Sequence, residues 1–328
     1  MYKSISSRLI VPLVLTILLS ACAQSPVLSP QIAQLPERVE LSDVPFFAQT
    51  EYQCGPAALS TMLTQRGIAT SPGVLKDQVY IPGREGSLQI EMVAAARSHE
   101  MLVYPLQPKL ESVLTQVAAG NPVLVLQNQA FDWYPQWHFA VVVGFDTRAK
   151  TLILRSGTTR RWVTDFAGFD ESWARANRWA VVTMPPNKLP AQPELQTWLK
   201  AANDLEETGR KQAAQSAYRT ATRQWPDESL TWFAMANSRH ASGDVAGAEA
   251  DLRKSVQHKP DFAAGWFNLS QVLAERGCGQ QAAQAQACAK QLAPKDERFS
   301  SPLNVATQAT GQCSVLPACS AVSNAMAK

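Results

Sequence analysis

Between positions 55 and 119 the apolar residues recur at helical spacing. Leu59, Met62 and Leu63 mark one face of a helix over 55–66, Leu88, Met92, Ala95 and Ala96 mark another over 87–99, and a third over 110–119 is stopped by Gly120. From 122 onward the apolar runs shorten, become β-branched and are bounded by Gly, Pro or Asp. That pattern predicts strands at 122–127, 138–144, 151–154 and 179–183. Helices first and a mostly antiparallel sheet after them make an α+β unit, with bounds at 44 and 184. Pro185, Pro186, Pro190 and Pro193 then break all periodicity, so 185–194 reads as a linker.

Past the linker the chain repeats itself every 34 residues: Trp198, Trp232 and Trp266; Gly209, Gly243 and Gly277; Ala214, Ala248 and Ala282; Pro226, Pro260 and Pro294. Each position has a mechanical reason. The alanines let helices pack closely, the glycines fall in turns and the prolines end the second helix of each unit. The register resembles the tetratricopeptide repeat, which implies an all-α array of three repeats over 195–294, with core tryptophans and a protein partner on its concave face. Residues 295–328 form a C-terminal tail.

The apolar run at the start is of another kind. Lys3 and Arg8 precede a short apolar core, 9–19, interrupted by Thr16 and containing Pro12, as in a secretory signal. Leu19-Ser20-Ala21-Cys22 resembles the bacterial lipobox. The resemblance implies cleavage after residue 21, acylation of Cys22 and, with Ala23 next in the chain, an outer-membrane location facing the periplasm. Residues 22–43, with Pro26, Pro30 and Pro36, read as the tether.

Charge excludes some partners. The chain carries +3 overall, and 17% of its residues are charged. Losing Lys3 and Arg8 with the leader leaves it close to neutral, so no nucleic-acid surface is indicated. Of six cysteines, four cluster near the C-terminus: Cys278, Cys288, Cys313 and Cys319. An oxidising compartment favours two disulfides there. Zinc is the competing reading, but the four lack a Cys-x-x-Cys pair or a nearby histidine, so no metal is expected. Cys278 and Cys288 lie about 15 Å apart at helical rise, too far to pair with each other. Cys313 and Cys319 are therefore expected to return and meet them.

Cys54 stands apart. It precedes Gly55-Pro56, a helix start, where unpaired N–H groups and the helix dipole favour a thiolate. Such a cysteine needs a base. His240 and His258 fall in the repeats, and His99 ends an amphipathic helix. His138 opens a strand, so it is the histidine expected at a sheet rim within reach of a helix terminus. Asp146 reads as a turn residue. Trp133, Tyr134 and Trp137 crowd the loop before His138 and suit either the wall of a peptide groove or a cap over the sheet edge. Arg84 and Glu85 form the charged tip of a rim loop.

Gln49-x4-Cys54-Gly-x-Ala-Ala-Leu, then Gly86-Ser-Leu, Pro122-Val-Leu-Val-Leu and His138-Phe-x-Val-Val-Val resemble the papain-like bacteriocin-leader peptidases, which cut after double-glycine leaders. By matching position the resemblance implies a nucleophile at Cys54, a general base at His138 and an oxyanion donor at Gln49, with no cofactor. The family places an Asp-Pro after the next strand, where this chain has Ser156-Gly157. No phosphate-cradling Gly-x4-Gly-Lys-Ser/Thr loop accompanies the domain. The expectation is a lipid-anchored cysteine peptidase working on a peptide or protein through a thioester, with repeats that recruit substrate or partner. A catalytically degenerate platform, and a thiol amidase or acyltransferase, are the alternatives. The same Cys/His pair serves all such acyl chemistry.

Overall fold

In the computed structural model of this chain residues 30–49 and 53–320 are described. The leader 1–21 and the expected lipid attachment site Cys22 lie outside them. No helix among the described residues is long and apolar enough to cross a membrane.

The strands are β1 (Arg38–Glu40), β2 (Leu102–Pro105), β3 (Val123–Asn128), β4 (Trp137–Asp146), β5 (Thr151–Ser156), β6 (Thr159–Asp165) and β7 (Ala180–Met184). They form one antiparallel sheet in the order β2-β7-β3-β4-β5-β6, with β1 paired to the far end of β4. Successive side chains of a strand face opposite ways, and both faces here are covered. Phe139, Val141 and Val143 of β4 join a core with Leu59, Met62 and Leu63 of α1 (Cys54–Thr64), Leu75 and Val79 of α2 (Pro72–Val79), and Met92 and Ala96 of α3 (Gln89–Ser98). Ala140 and Val142 join the other core, with Val113 and Val117 of α4 (Leu110–Ala118) and Phe166, Phe169 and Trp173 of α5 (Phe166–Ala174). A bulge between Val142 and Gly144 changes the alternation, and Phe145 belongs to the second core. Gly144 permits β1 to lie close, because a Cβ there would stand 2.6 Å from the Val39 carbonyl oxygen.

The helices α6 (Leu195–Glu207), α8 (Ser229–Ala241) and α10 (Ala263–Glu275) start at the same interval of 34 as α7 (Lys211–Gln224), α9 (Val245–His258) and α11 (Gly279–Leu292). They are three successive helical hairpins. Ala214, Ala248 and Ala282 are buried, and Gly209, Gly243 and Gly277 take left-handed φ of 78–85° in the turns. Trp198 and Trp266 are core residues as expected, but Trp232 is only half-buried. Its indole N–H donates to the Pro226 carbonyl, and the Lys254 ammonium sits 3.8 Å from the ring centre.

Three stretches differ from the reading of the sequence. Residues 30–43 are not a free tether: the turn Pro30–Gln34 places Ile32 in the second core, β1 pairs with β4, and Val44 is buried. Their few apolar residues lie at no regular spacing, so no period announces them. The linker 185–194 is strapped down, because Gln116 donates its side-chain amide to the Ala191 carbonyl and accepts from the Ala191 N–H, while the Glu194 N–H donates to the Tyr104 hydroxyl. The described part of the tail, 295–320, is also tied down. Disulfides join Cys278 to Cys313 and Cys288 to Cys319, and Arg253 and Arg276, both paired with buried Glu249, donate to tail carbonyls at Ser314, Val315 and Thr310.

Candidate active site

Cys54 is the first residue of α1 and the one free cysteine among the described residues. Pro56 pre-sets the first turn, and Gln53 before it gives no side-chain cap. The first N–H groups of the helix are thus left without the usual partner. Gly55 follows for a steric reason. A Cβ at that position would lie 2.2 Å from Ser87 Oγ, so the segment carrying Gly86-Ser87-Leu88 seats against the first turn of α1 only because residue 55 is glycine. Ser87 Oγ is buried there without a hydrogen-bond partner. Two separate sequence motifs are one packing contact.

Burial pushes the Cys54 thiol up from its ordinary range, while the backbone N–H groups of Phe139, Gly55 and Cys54 itself favour the thiolate and partly oppose that shift. Phe139 is the residue after His138, so the start of β4 and the start of α1 meet at the sulfur. Gln49 and Cys54 line the same narrow cavity, together with Phe46, Phe47, Phe139, Arg155 and Gly157, and it has room for little more than one water. The Gln49 N–H donates to the Gly157 carbonyl at 3.2 Å, which ties the Gln49 segment to the β5–β6 turn.

His138 is largely buried, and its Nε2 lies 2.9 Å from Ser156 Oγ. Burial pulls the imidazole down to about 4, because the charged ring would lose its water. Ser156 offers a hydrogen bond and no charge. The candidate residues therefore assemble as two pairs, Gln49 with Cys54 and His138 with Ser156. Phe139, which follows His138 in β4, lines the cavity with Gln49 and Cys54, and no hydrogen bond joins Cys54 to His138. Asp146 is at the opposite end of β4, where its carboxylate accepts from the Ala149 N–H in the turn.

Arg155, which composition and spacing did not single out, is buried beside this cavity and forms no salt bridge among the described residues. Its guanidinium donates to the carbonyls of Leu41, Ser42 and Val44 at 3.1–3.4 Å and to that of Arg160 at 2.8 Å. It binds the strand leading to Gln49 onto the β5–β6 hairpin, and burial lowers its pKa. The only sequence signal was a charged residue inside an apolar strand, Leu152-Ile-Leu-Arg155. Trp133, Tyr134 and Trp137 do not line the cavity; they are exposed on the β3–β4 loop. Arg84 and Glu85 are exposed at a rim turn. A far larger cavity, about 920 Å³, lies at the second core between Ile32, Lys109, Asp170 and Arg178 and contains neither cysteine nor histidine. Among the described residues no group of His, Cys, Asp and Glu is placed to hold a metal ion.

A thiol at an uncapped helix start, a buried imidazole next in the chain to Phe139 of its cavity, and an amide side chain lining that cavity are the parts of acyl-transfer chemistry. Residues 41–181 match the Peptidase_C39 like family. The match covers the sheet unit and not the helical hairpins, so this C39-like domain is a papain-like α+β unit with an antiparallel sheet. No curated protein matches the chain. Two solved structures are similar to the C39-like domain. One, from Bacillus anthracis and named as a C39-like peptidase, is 18% identical, with 45% of this chain and 98% of that one covered and a TM-score of 0.39. The other, a double glycine motif protease from an AMS/PCAT transporter in complex with its leader peptide, is 18% identical, with 43% of this chain and 91% of that one covered and a TM-score of 0.33.

Proposed function

We propose that this protein is a lipid-anchored cysteine peptidase acting on a peptide or protein substrate. The observation that carries the reading is Cys54: an uncapped helix start, a cavity shared with Gln49 and Phe139, and His138 next to Phe139 in β4. Cys54 Sγ attacks the scissile carbonyl carbon, and its proton passes to His138. The oxyanion is received by the Cys54 N–H and the Gln49 side chain, where one such donor contributes about 2.7–4 kcal/mol. The C–N bond breaks as His138 returns the proton to the departing amine. Water, deprotonated by His138, then hydrolyses the thioester. The missing Cys54–His138 hydrogen bond is of the kind that forms with substrate in place. Cys22 would hold the protein to the outer membrane, facing the periplasm, and the hairpins, as tetratricopeptide repeats, would recruit substrate or partner.

A second reading, a catalytically silent platform, is favoured by one observation. With Ser156 where a carboxylate is expected, His138 drawn down to about 4 and the thiol pushed up, the resting pair is neutral at pH 7. Alkylation by iodoacetamide and turnover of a peptide library, each compared with Cys54→Ala, separate the two. Peptidase function requires cleavage that Cys54→Ala abolishes. No cleavage, with Cys54 alkylated more slowly than free cysteine, assigns the platform.

A further inference from the structure

Five aromatic side chains stand exposed among the described residues, and four of them belong to the β3–β4 loop: Phe131, Trp133, Tyr134 and Trp137, with Trp133 81% exposed. The loop is not slack. Buried Asn128 accepts from the Ala130 and Gln136 N–H groups at 3.1 and 2.9 Å and donates to the Phe131 carbonyl, and the Gln129 N–H donates to the Gln136 carbonyl. Phe131 and Trp133 stack with ring centres 5.4 Å apart and planes 7° from parallel. The structure thus fixes an apolar tip and turns it away from both cores. Such a patch on a folded domain needs an occupant.

We propose that the occupant is the bilayer interface, and that the β3–β4 loop is a second membrane contact beside the lipid. The inference rests on the proposed acylation at Cys22. Ile32 is the first described residue in a core, ten residues beyond Cys22, so the extended lead from lipid to core spans at most about 36 Å. The chain joins the sheet at the end of β4 away from the loop, where the Glu37 carbonyl accepts from the Thr147 N–H and Arg38 pairs with Asp146, and α5 leads from that side back to the loop. Ile32 and Leu35 share a cavity with Asp170 and Arg178, while Arg175, at the end of the same helix α5, donates to the carbonyl of Asn128 at the base of the loop. That helix of nine residues is about 13 Å long. A lead of that reach keeps the loop, on the other side of α5, within range of the bilayer. Tryptophan and tyrosine are the side chains that settle at the headgroup level, with an apolar body and a polar edge. Asp132 is the single charge within the loop, so the contact is shallow and needs no anionic lipid. Phe139, two residues beyond Trp137, lines the Cys54 cavity, so the cavity lies toward the same end of β4. The substrate this arrangement favours is a polypeptide held at or emerging from the membrane.

The lipidated chain in phosphatidylcholine vesicles whose acyl chains carry bromine near the headgroup tests this. Tryptophan fluorescence should be quenched, and Trp133→Gln/Trp137→Gln should lose that quenching while the circular dichroism stays unchanged. In parallel, the leader-free chain from Ala23, which contains every described residue, should sediment with plain phosphatidylcholine vesicles. Phe131→Ala/Trp133→Ala should weaken that partition by about tenfold or more. If mass analysis finds Cys22 unmodified, the anchor reading fails, yet the sedimentation arm still decides on the loop. If Cys22 is acylated but shallow bromines leave the fluorescence unchanged and the leader-free chain stays in solution, the loop proposal is overturned and a peptide or protein partner takes its place.

Discussion

Replacing Ser156 with aspartate restores a charge where the chain has none, and its effect can be worked from one distance. His138 Nε2 and Ser156 Oγ are 2.9 Å apart, so a carboxylate there would lie roughly 4 Å from the centre of an imidazolium. At an effective dielectric of about 20 that pair is worth about 4 kcal/mol, or about 3 pH units, before the cost of burying the carboxylate. His138 would then titrate not at about 4 but near 7 at the upper limit. The thiolate–imidazolium pair would gain up to a thousandfold in population. Proton NMR of the histidine rings, with His138 assigned by loss of its signal in His138→Gln, reads the titration directly, and the alkylation rate of Cys54 between pH 5 and 9 reads its consequence. Ser156→Asp should move both toward neutral pH, and Ser156→Ala should leave His138 low, since burial is the cause. A wild-type His138 titrating near 6.5 would refute the burial argument. In Ser156→Asp, a His138 that stays low beside the ionised new carboxylate would refute the charge argument.

Because the folded state holds His138 neutral to about 4 against an unfolded value near 6.5, the unfolded chain binds the extra proton first. Stability should therefore fall by about 3 kcal/mol as pH drops from 6.5 to 4, and urea melts of His138→Gln should lack that component. Arg155→Met leaves four carbonyls without their donor, so it should cost about 1–3 kcal/mol for each carbonyl that water does not reach. Arg155→Lys, which keeps the charge but not the fork, should recover the melting temperature only in part, and both variants should slow Cys54 alkylation by loosening the Gln49 segment. Reduction should act locally. The Cys278–Cys313 link closes a separation of 35 residues, worth about 3–4 kcal/mol, so dithiothreitol should raise amide exchange in α10 and α11 and leave the sheet protected.

The hairpins were legible because a helix pair has few ways to pack, and the repeated Gly and Ala, with Trp198 and Trp266 but not Trp232, sit where that packing needs them. The inner strands β3, β4 and β7 were legible for a similar reason: buried on both faces, they read as unbroken apolar runs. β6 escaped notice because Thr159-Arg-Arg-Trp-Val-Thr-Asp165 is exposed along nearly all its length and shows no alternation. The short helix α2 and the strands β1 and β2 are too brief for a period to emerge, whereas α5 carries Phe166, Phe169 and Trp173 at helical spacing and was overlooked between two strands. At the site, the helix start at Cys54 is written in Gly55-Pro56. The clamp made by Arg155 is not, because its partners are main-chain carbonyls, three of the four more than a hundred residues away, and carbonyls look the same in every sequence.

One core runs from the sheet through Trp198, Ala202 and Leu205 of α6 and Ala214, Ala217 and Tyr218 of α7 to Met235 of α8; the adjacent Ala236 belongs to a separate core with Leu252, Trp266 and Leu273. The break between cooperative units thus falls inside the repeats, along α8, and not at the proline seam where the sequence changes character. A fragment cut at the seam would lay bare the surface that Trp198 now covers and would tend to aggregate, whereas one cut after the second hairpin would keep that surface sealed. Strain applied to the distal hairpins would be passed through α8 to the sheet, so a partner seated on the array can pull on β2 and β7 as a handle pulls on a blade.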